Sequence, residues 1–243
     1  NSARQQLNEP FSRKVGLQID TSTGAFGYQT QDLSVAGMMP LLFTRYYNGH
    51  SDRLGPLGYG WSHSYDTRLL LTQDGDAGIV FGSGQEVFFT LDSNGQTFTP
   101  ADARIHDRLI KNGNGSYTYT TKARQVYQFS ANGVLMAIND GNGNTLIFDY
   151  DAAGKLHAVT APGNLSFTLT YDANNRLVSV TDPVGAVISY GFDANGDLVS
   201  VTHPGGGIEH YSYDHHRLAQ VVDATNRMIF QNVFDSFHRV VQQ

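Results

Sequence analysis

A possible nucleophile, general base and orienting carboxylate stand close together in the stretch Gly58-Tyr59-Gly60-Trp61-Ser62-His63-Ser64-Tyr65-Asp66. A triad is defined by geometry in space, and an extended chain points His63 to the opposite face from Ser62 and Ser64. The expectation is therefore structural: Trp61 packs, and the glycines bend the chain close to it. Five histidines, His203, His210, His215, His216 and His238, crowd the carboxy-terminal third, but none has a recognised metal-ligand spacing on one element. The pair His215-His216 falls in a hairpin turn and is read as exposed. Asp193-Ala194-Asn195-Gly196-Asp197 and Asp74-Gly75-Asp76 look like pieces of calcium loops, yet the twelfth position counted from Asp193 is Pro204, where such a loop needs a bidentate Glu. Lys111 to Tyr117 could pass for a phosphate cradle, but no helix follows it. No catalytic, cofactor-binding or metal-ligating residue is expected, and no cofactor.

Composition narrows the classes further. The 243 residues hold no cysteine, which excludes a disulfide framework, a thiol nucleophile and thiolate metal sites. Sixteen Lys+Arg against 22 Asp+Glu leave a net charge of -6, which argues against a nucleic-acid surface. No run approaches the roughly eighteen apolar residues of a membrane span. The first residues, NSARQQLNEPFSRKV, lack the basic start and apolar core of a signal peptide.

The elements that must position these residues are set by internal repetition. An aromatic residue followed by Asp or Ser recurs at Phe129-Ser130, Tyr150-Asp151, Tyr171-Asp172, Phe192-Asp193, Tyr213-Asp214 and Phe234-Asp235, every interval being 21 residues. Four residues after the aromatic come Gly133, Gly154, Asn175 and Gly196; six after it come Leu135, Leu156, Leu177 and Leu198; nine after it come Ile138, Val159, Val180 and Val201. Each unit reads as a β-hairpin, with a tight turn at residues that tolerate positive φ and a second turn rich in Pro or Gly. On the returning strands Leu146, Phe148 and Tyr150, then Phe167, Leu169 and Tyr171, then Ile188, Tyr190 and Phe192 share a face by period two. That stripe weakens at Glu209, Tyr211, Tyr213 and at Phe230, Asn232, Phe234. On the outgoing strand the Leu and Val positions lie three apart, which calls for a bulge or sharp bend. The fifth unit is irregular, because Leu218 arrives one residue early after His215-His216. The recurrent Tyr-Asp pair has two readings: a row of side chains lining a glycan-binding groove, or an Asp that bonds the backbone of its own turn while the aromatic packs. Recurrence in every unit favours the second.

The first half is also all-β in pattern. The runs at 41–47, 68–72, 79–81 and 86–91 are short, β-branched and aromatic, and glycine turns separate them. The fold class expected is all-β, with consecutive hairpin repeats of 21 residues forming a curved or spiralling antiparallel sheet that runs continuously between the halves. Residues 1–128 are read as an amino-terminal β region with a distinctive block at 32–71. Residues 129–243 are read as the repeats, with units starting at 129, 150, 171, 192, 213 and 234.

The repeat, Tyr-Asp-x-x-Gly-Arg/Lys-Leu-x-x-Val-Thr-Asp-Pro-x-Gly, resembles the YD repeat of the Rhs family, shared with the C components of insecticidal toxin complexes and with teneurins. It is clearest in YDAAGKLHAVTAPG from Tyr150 and YDANNRLVSVTDPVG from Tyr171. The segment from Asp32 to Leu71 is similar to the block preceding the repeats in Rhs proteins, and carries Arg45, Tyr46, Tyr47, Gly58, Gly60, Trp61 and Tyr65 as structural positions. The resemblance implies a non-enzymatic scaffold, part of a hollow shell that encloses a carboxy-terminal toxin and delivers it to another cell, in many bacteria by type VI secretion. A bacterial secreted or cell-surface effector is the localisation it implies. The aspartyl protease-like segment of self-cutting members is not recognisable here. The chain stops ten residues into its sixth unit, which reads as a fragment or a short member. Its expected partners are the remaining shell and toxin segments of a longer protein, with self-association through the sparsely charged edge VFDSFHRVVQQ and glycan binding as further readings.

Overall fold

The structure, a computed structural model, describes residues 14–15, 19–20, 26–237 and 239–243. His238 and most of the first 25 positions lie outside the described residues. Every regular element among the described residues is a strand. The chain is all-β, as its repeat predicts.

Seventeen strands, from Arg68–Leu71 to Met228–Gln231, form one antiparallel sheet in which each strand pairs with the next in sequence. The ladder passes without interruption through residue 128. The sheet closes on itself. Its first strand is met by a single antiparallel bridge, Arg68 to Val134, beside which the Leu69 N–H donates to the Gly133 carbonyl at 3.0 Å. Closure is therefore a narrow seam rather than a full ladder.

A separate three-stranded sheet precedes it, with Leu41–Asn48 between Gly27–Val35 and Trp61–His63. The strand Leu41–Asn48 alternates strictly, burying Leu41, Phe43, Arg45 and Tyr47. An arginine thus occupies a position whose neighbours are all core residues. The small hairpin Leu54–Gly55 with Gly58–Tyr59 projects from this block. Lys14–Val15 pairs with Ile19–Asp20, and Val233–Phe234 with Val240–Gln242.

The three-residue spacing on the outgoing strands is resolved by a bulge repeated in every unit. Asp149 faces Ala158 but Tyr150 faces Leu156, leaving His157 unpaired; the same slip leaves out Met136, Val178, Val199 and Ala219. One extra residue turns a spacing of three into an effective spacing of two, so both Leu156 and Val159 point inward. The fifth unit turns through only two residues, His215 and His216, both at positive φ (49° and 64°). A second bulge at Ile229 restores the missing residue and keeps Phe230 on the inner face. The inward rows of the repeats and of the block merge into one core containing Phe43, Trp61, Phe167, Val180 and Leu218.

Candidate functional site

The turn that opens each repeat accounts for its recurrent aspartate. Asp151 Oδ1 accepts the N–H groups of Ala153 and Lys155, both at 2.9 Å, while the Gly154 N–H donates to the Asp151 carbonyl. Asp172, Asp193 and Asp235 cap their turns in the same way. Asp140, Asp182 and Asp223 cap the opposite turns. Asp214 is the exception, since its two-residue turn presents no such pair of N–H groups and its carboxylate meets His215 Nδ1 at 2.7 Å. Of the aromatics, Phe129 is fully buried, and Tyr150, Tyr171, Phe192 and Tyr213 are half-buried against the core. Phe234 is half-buried and pairs with Val240 in the terminal hairpin.

The polar centre of the molecule lies where the amino-terminal block meets the repeats. Arg45 is completely buried, with Nε 2.6 Å from Asp32 Oδ2 and Nη2 2.9 Å from Asp32 Oδ1, a fork-on-carboxylate pair. Its Nη2 also reaches Tyr211 Oη at 3.1 Å and Glu209 Oε2 at 3.4 Å. The Tyr190 hydroxyl donates to Asp32 and the Tyr211 hydroxyl to Glu209. His203 Nε2 lies 3.1 Å from Glu209 Oε1. The guanidinium carbon sits 5.1 to 5.6 Å from the ring centres of Trp61, Tyr190 and Tyr211, which surround the charge with aromatic faces. Among the described residues Arg45 Nη1 has no hydrogen-bond partner, and the three ring faces surround the guanidinium carbon that bears it. Burial, though opposed by Arg45, pushes the Tyr211 phenol far up; the same balance, with Asp32 added, holds Tyr190 high. Both phenols are committed donors.

The other block positions serve the same joint. Trp61 Nε1 donates to Tyr213 Oη at 2.8 Å, and Tyr213 donates onward to the Leu198 carbonyl. Tyr47 Oη accepts the Leu218 N–H at 2.9 Å, and burial pushes its phenol up to about 12. Tyr65 Oη accepts the Leu42 N–H, and Tyr46 lies half-buried opposite Ser62. Gly58 and Gly60 both have positive φ; a Cβ on Gly58 would stand 2.8 Å from the Gly196 carbonyl oxygen, and one on Gly60 2.8 Å from the Tyr47 ring. Arg217, with donors on the Gly49 carbonyl and Asp52, completes the joint from the fifth repeat.

Serine, histidine and aspartate of the Trp61 segment do not form a catalytic constellation. Ser62 Oγ donates to the Gly82 carbonyl and Ser64 Oγ to the Leu42 carbonyl, while His63 is buried and stacks on Phe43. Asp66 faces Arg53 and Arg68. Burial lowers the His63 imidazole below its ordinary value. Among the described residues no group of three or more His, Asp or Glu side chains can hold a metal ion. His216 differs from the exposed turn residue expected, since its Nδ1 lies 3.0 Å from both oxygens of the buried Asp197 and its ring meets Tyr59. Sequence reasoning missed Asp32, Asp197, Glu209 and Arg217, which lie in different elements and share no spacing. For Glu209, charge on an otherwise apolar inward stripe was the available signal.

A family model described as RHS Repeat matches residues 150–187, 171–208 and 192–228. The chain carries the Rhs/YD repeat over residues 150–228. A second model, described as a domain of unknown function (DUF6531), matches residues 16–89 of this Rhs-repeat protein. No curated protein matches it. Among solved structures, it is similar to a chain of the Photorhabdus luminescens Tc holotoxin pore, at 13% identity and a TM-score of 0.36, over 90% of this chain and 12% of that one. A TcdB2-TccC3-TEV crystal structure matches at 15% identity and a TM-score of 0.36, over 88% and 12%. The Rhs-repeat chain thus spans about 12% of the length of the chains it matches.

Proposed function

We propose that this chain is a non-catalytic wall segment of an Rhs-type shell that encloses a toxin segment of a longer protein and helps to deliver it. The observation that carries the reading is the fate of the recurrent polar residues. The aspartates at 151, 172, 193 and 235 are spent on the N–H groups of their own turns, and the aromatic partners lie in the sheet. A row of side chains used in this way builds a wall and leaves little of the repeat itself to bind a glycan. The partners on this reading are the remaining shell strands and the enclosed segment. Among the described residues no helix is long and apolar enough to cross a membrane.

Limited proteolysis of the protein encoded by the complete reading frame tests this. Under native conditions the segment downstream of the repeats is expected to survive trypsin until the wall is unfolded by denaturant. Digestion of that segment at native conditions, while the repeats remain intact, would rule out enclosure.

A further inference from the structure

A cleft of about 660 Å³ lies between the segment Asp66 to Leu70 and the opening turns of three successive repeats. One departure from the repeat pattern marks it. Tyr150 and Tyr213 each donate to the carbonyl of the leucine 15 residues earlier, Leu135 and Leu198, at 2.7 and 2.8 Å. The equivalent acceptor for Tyr171 is the carbonyl of Leu156, and that bond is not made. Among the described residues Tyr171 Oη has no hydrogen-bond partner, and Tyr171 lines the cleft.

The rest of the lining is rich in spare donors. Among the described residues Arg68 makes one long side-chain contact, Nη1 to Asp66 Oδ1 at 3.4 Å, which leaves Nε and Nη2 uncommitted. Lys155 Nζ lies 3.0 Å from Asn175 Oδ1 and 5.4 Å from the Tyr171 ring centre, and the Asn132 amide completes the set. The nearby carboxylates are already engaged. Asp66 is shared by Arg53 and Arg68, Asp151 caps its turn, and Glu86 acts on Arg68 from outside the lining. A neutral polyol brings as many donors as acceptors and would leave its own hydroxyl hydrogens unmatched here; an oxyanion brings acceptors alone.

We propose that this cleft binds a small oxyanion, a phosphate- or carboxylate-bearing molecule, through Arg68, Lys155 and the Tyr171 hydroxyl. The assignment is independent of the wall role. The test is a set of ¹H–¹⁵N NMR titrations of the chain with inorganic phosphate and, separately, acetate, with sodium chloride holding ionic strength constant. Saturable shifts are expected at the amides of Gly133, Gly154 and Asn175. Binding should weaken about ten-fold in Arg68→Gln and in Tyr171→Phe, the scale of one charge-assisted hydrogen bond, and stay unchanged in Tyr150→Phe. Lys155→Gln, an exposed change, is expected to weaken it as well. Saturation by phosphate alone would assign a phosphoryl ligand, and saturation by both anions the wider carboxylate class. Shifts reproduced by chloride, wild-type affinity in Tyr171→Phe with the fold intact, or saturation by the neutral disaccharide maltose with phosphate silent would each overturn the proposal.

Discussion

Arg45 carries a permanent charge at a position with no access to water, and Asp32 beside it is equally buried. Removing one partner of such a pair leaves the other stranded, so Arg45→Met is expected to cost about 3–5 kcal/mol. Trp61 is the sole tryptophan and lies against the guanidinium, so its fluorescence in a denaturant titration reads the loss directly. Arg45→Met with Asp32→Asn should recover part of the cost, because the fully buried Asp32 carboxylate is no longer left unpaired; a double variant no better than the single one would show that ring packing around Arg45 dominates. Titrating groups add a pH dependence of known sign. The Thr225 hydroxyl, ahead of the turn N–H groups, holds Asp223 down to about 2; Arg239 lowers Asp235, and the Asn144 amide lowers Asp140. A carboxylate depressed in the folded state contributes stability that is complete above its unfolded value and lost as pH falls through the folded one. His63, held low by burial, acts in the same direction, since the unfolded chain takes up its proton first. The urea midpoint should be flat between about pH 7 and 9, fall gently below about 6.5, fall steeply between about 4 and 2, and fall again above about 10, where the unfolded chain ionises phenols that burial holds protonated in the fold. A midpoint that rises on acidification below about pH 7 would contradict this assignment.

Each hairpin is closed by its capping aspartate, and the fifth supplies an internal control. Asp172→Ala removes the acceptor of two turn N–H groups and is expected to cost about 1–2 kcal/mol, comparable to losing a helix N-cap. Asp214→Ala, in the two-residue turn, should leave the denaturation midpoint unchanged, because among the described residues its carboxylate meets only an exposed histidine. Equal costs at the two positions would mean that the carboxylates act through something other than turn N–H groups. Hairpins, bulges and caps were legible in the sequence because each rests on residues close along the chain and recurs every 21 positions: the Leu156 and Val159 spacing required the bulge, and the Asp-x-x-Gly order required the turn. The polar joint was not legible. Glu209 reads in sequence as a weakening of an apolar stripe, whereas in the fold it faces inward to meet an arginine 164 residues away. A charge on an inward face reports burial with a partner, but period-two reasoning cannot say which partner.

Neighbour-to-neighbour pairing alone would leave the long sheet an open ribbon, and the seam at Gly133 joins its first strand to the eighth strand along. Two glycines separate the local contribution of a turn from that closure. Gly133 and Gly154 occupy the same place in successive repeats with nearly the same φ, 78° and 77°. A Cβ on Gly154 would meet nothing within 4 Å, whereas one on Gly133 would stand 2.1 Å from the Leu69 carbonyl oxygen. Gly154→Ala should therefore cost only the strain of an L-residue at positive φ, about 1 kcal/mol, while Gly133→Ala should cost about 3 kcal/mol or more because backbone must move. Hydrogen exchange locates the difference, since the Leu69 amide, donor to the Gly133 carbonyl, should lose protection in Gly133→Ala and keep it in Gly154→Ala. If both variants lost the same stability with Leu69 still protected, the seam would contribute nothing to closure and the spiral would be held by its core alone. A selective loss would make the seam the element that turns a row of hairpins into a closed wall.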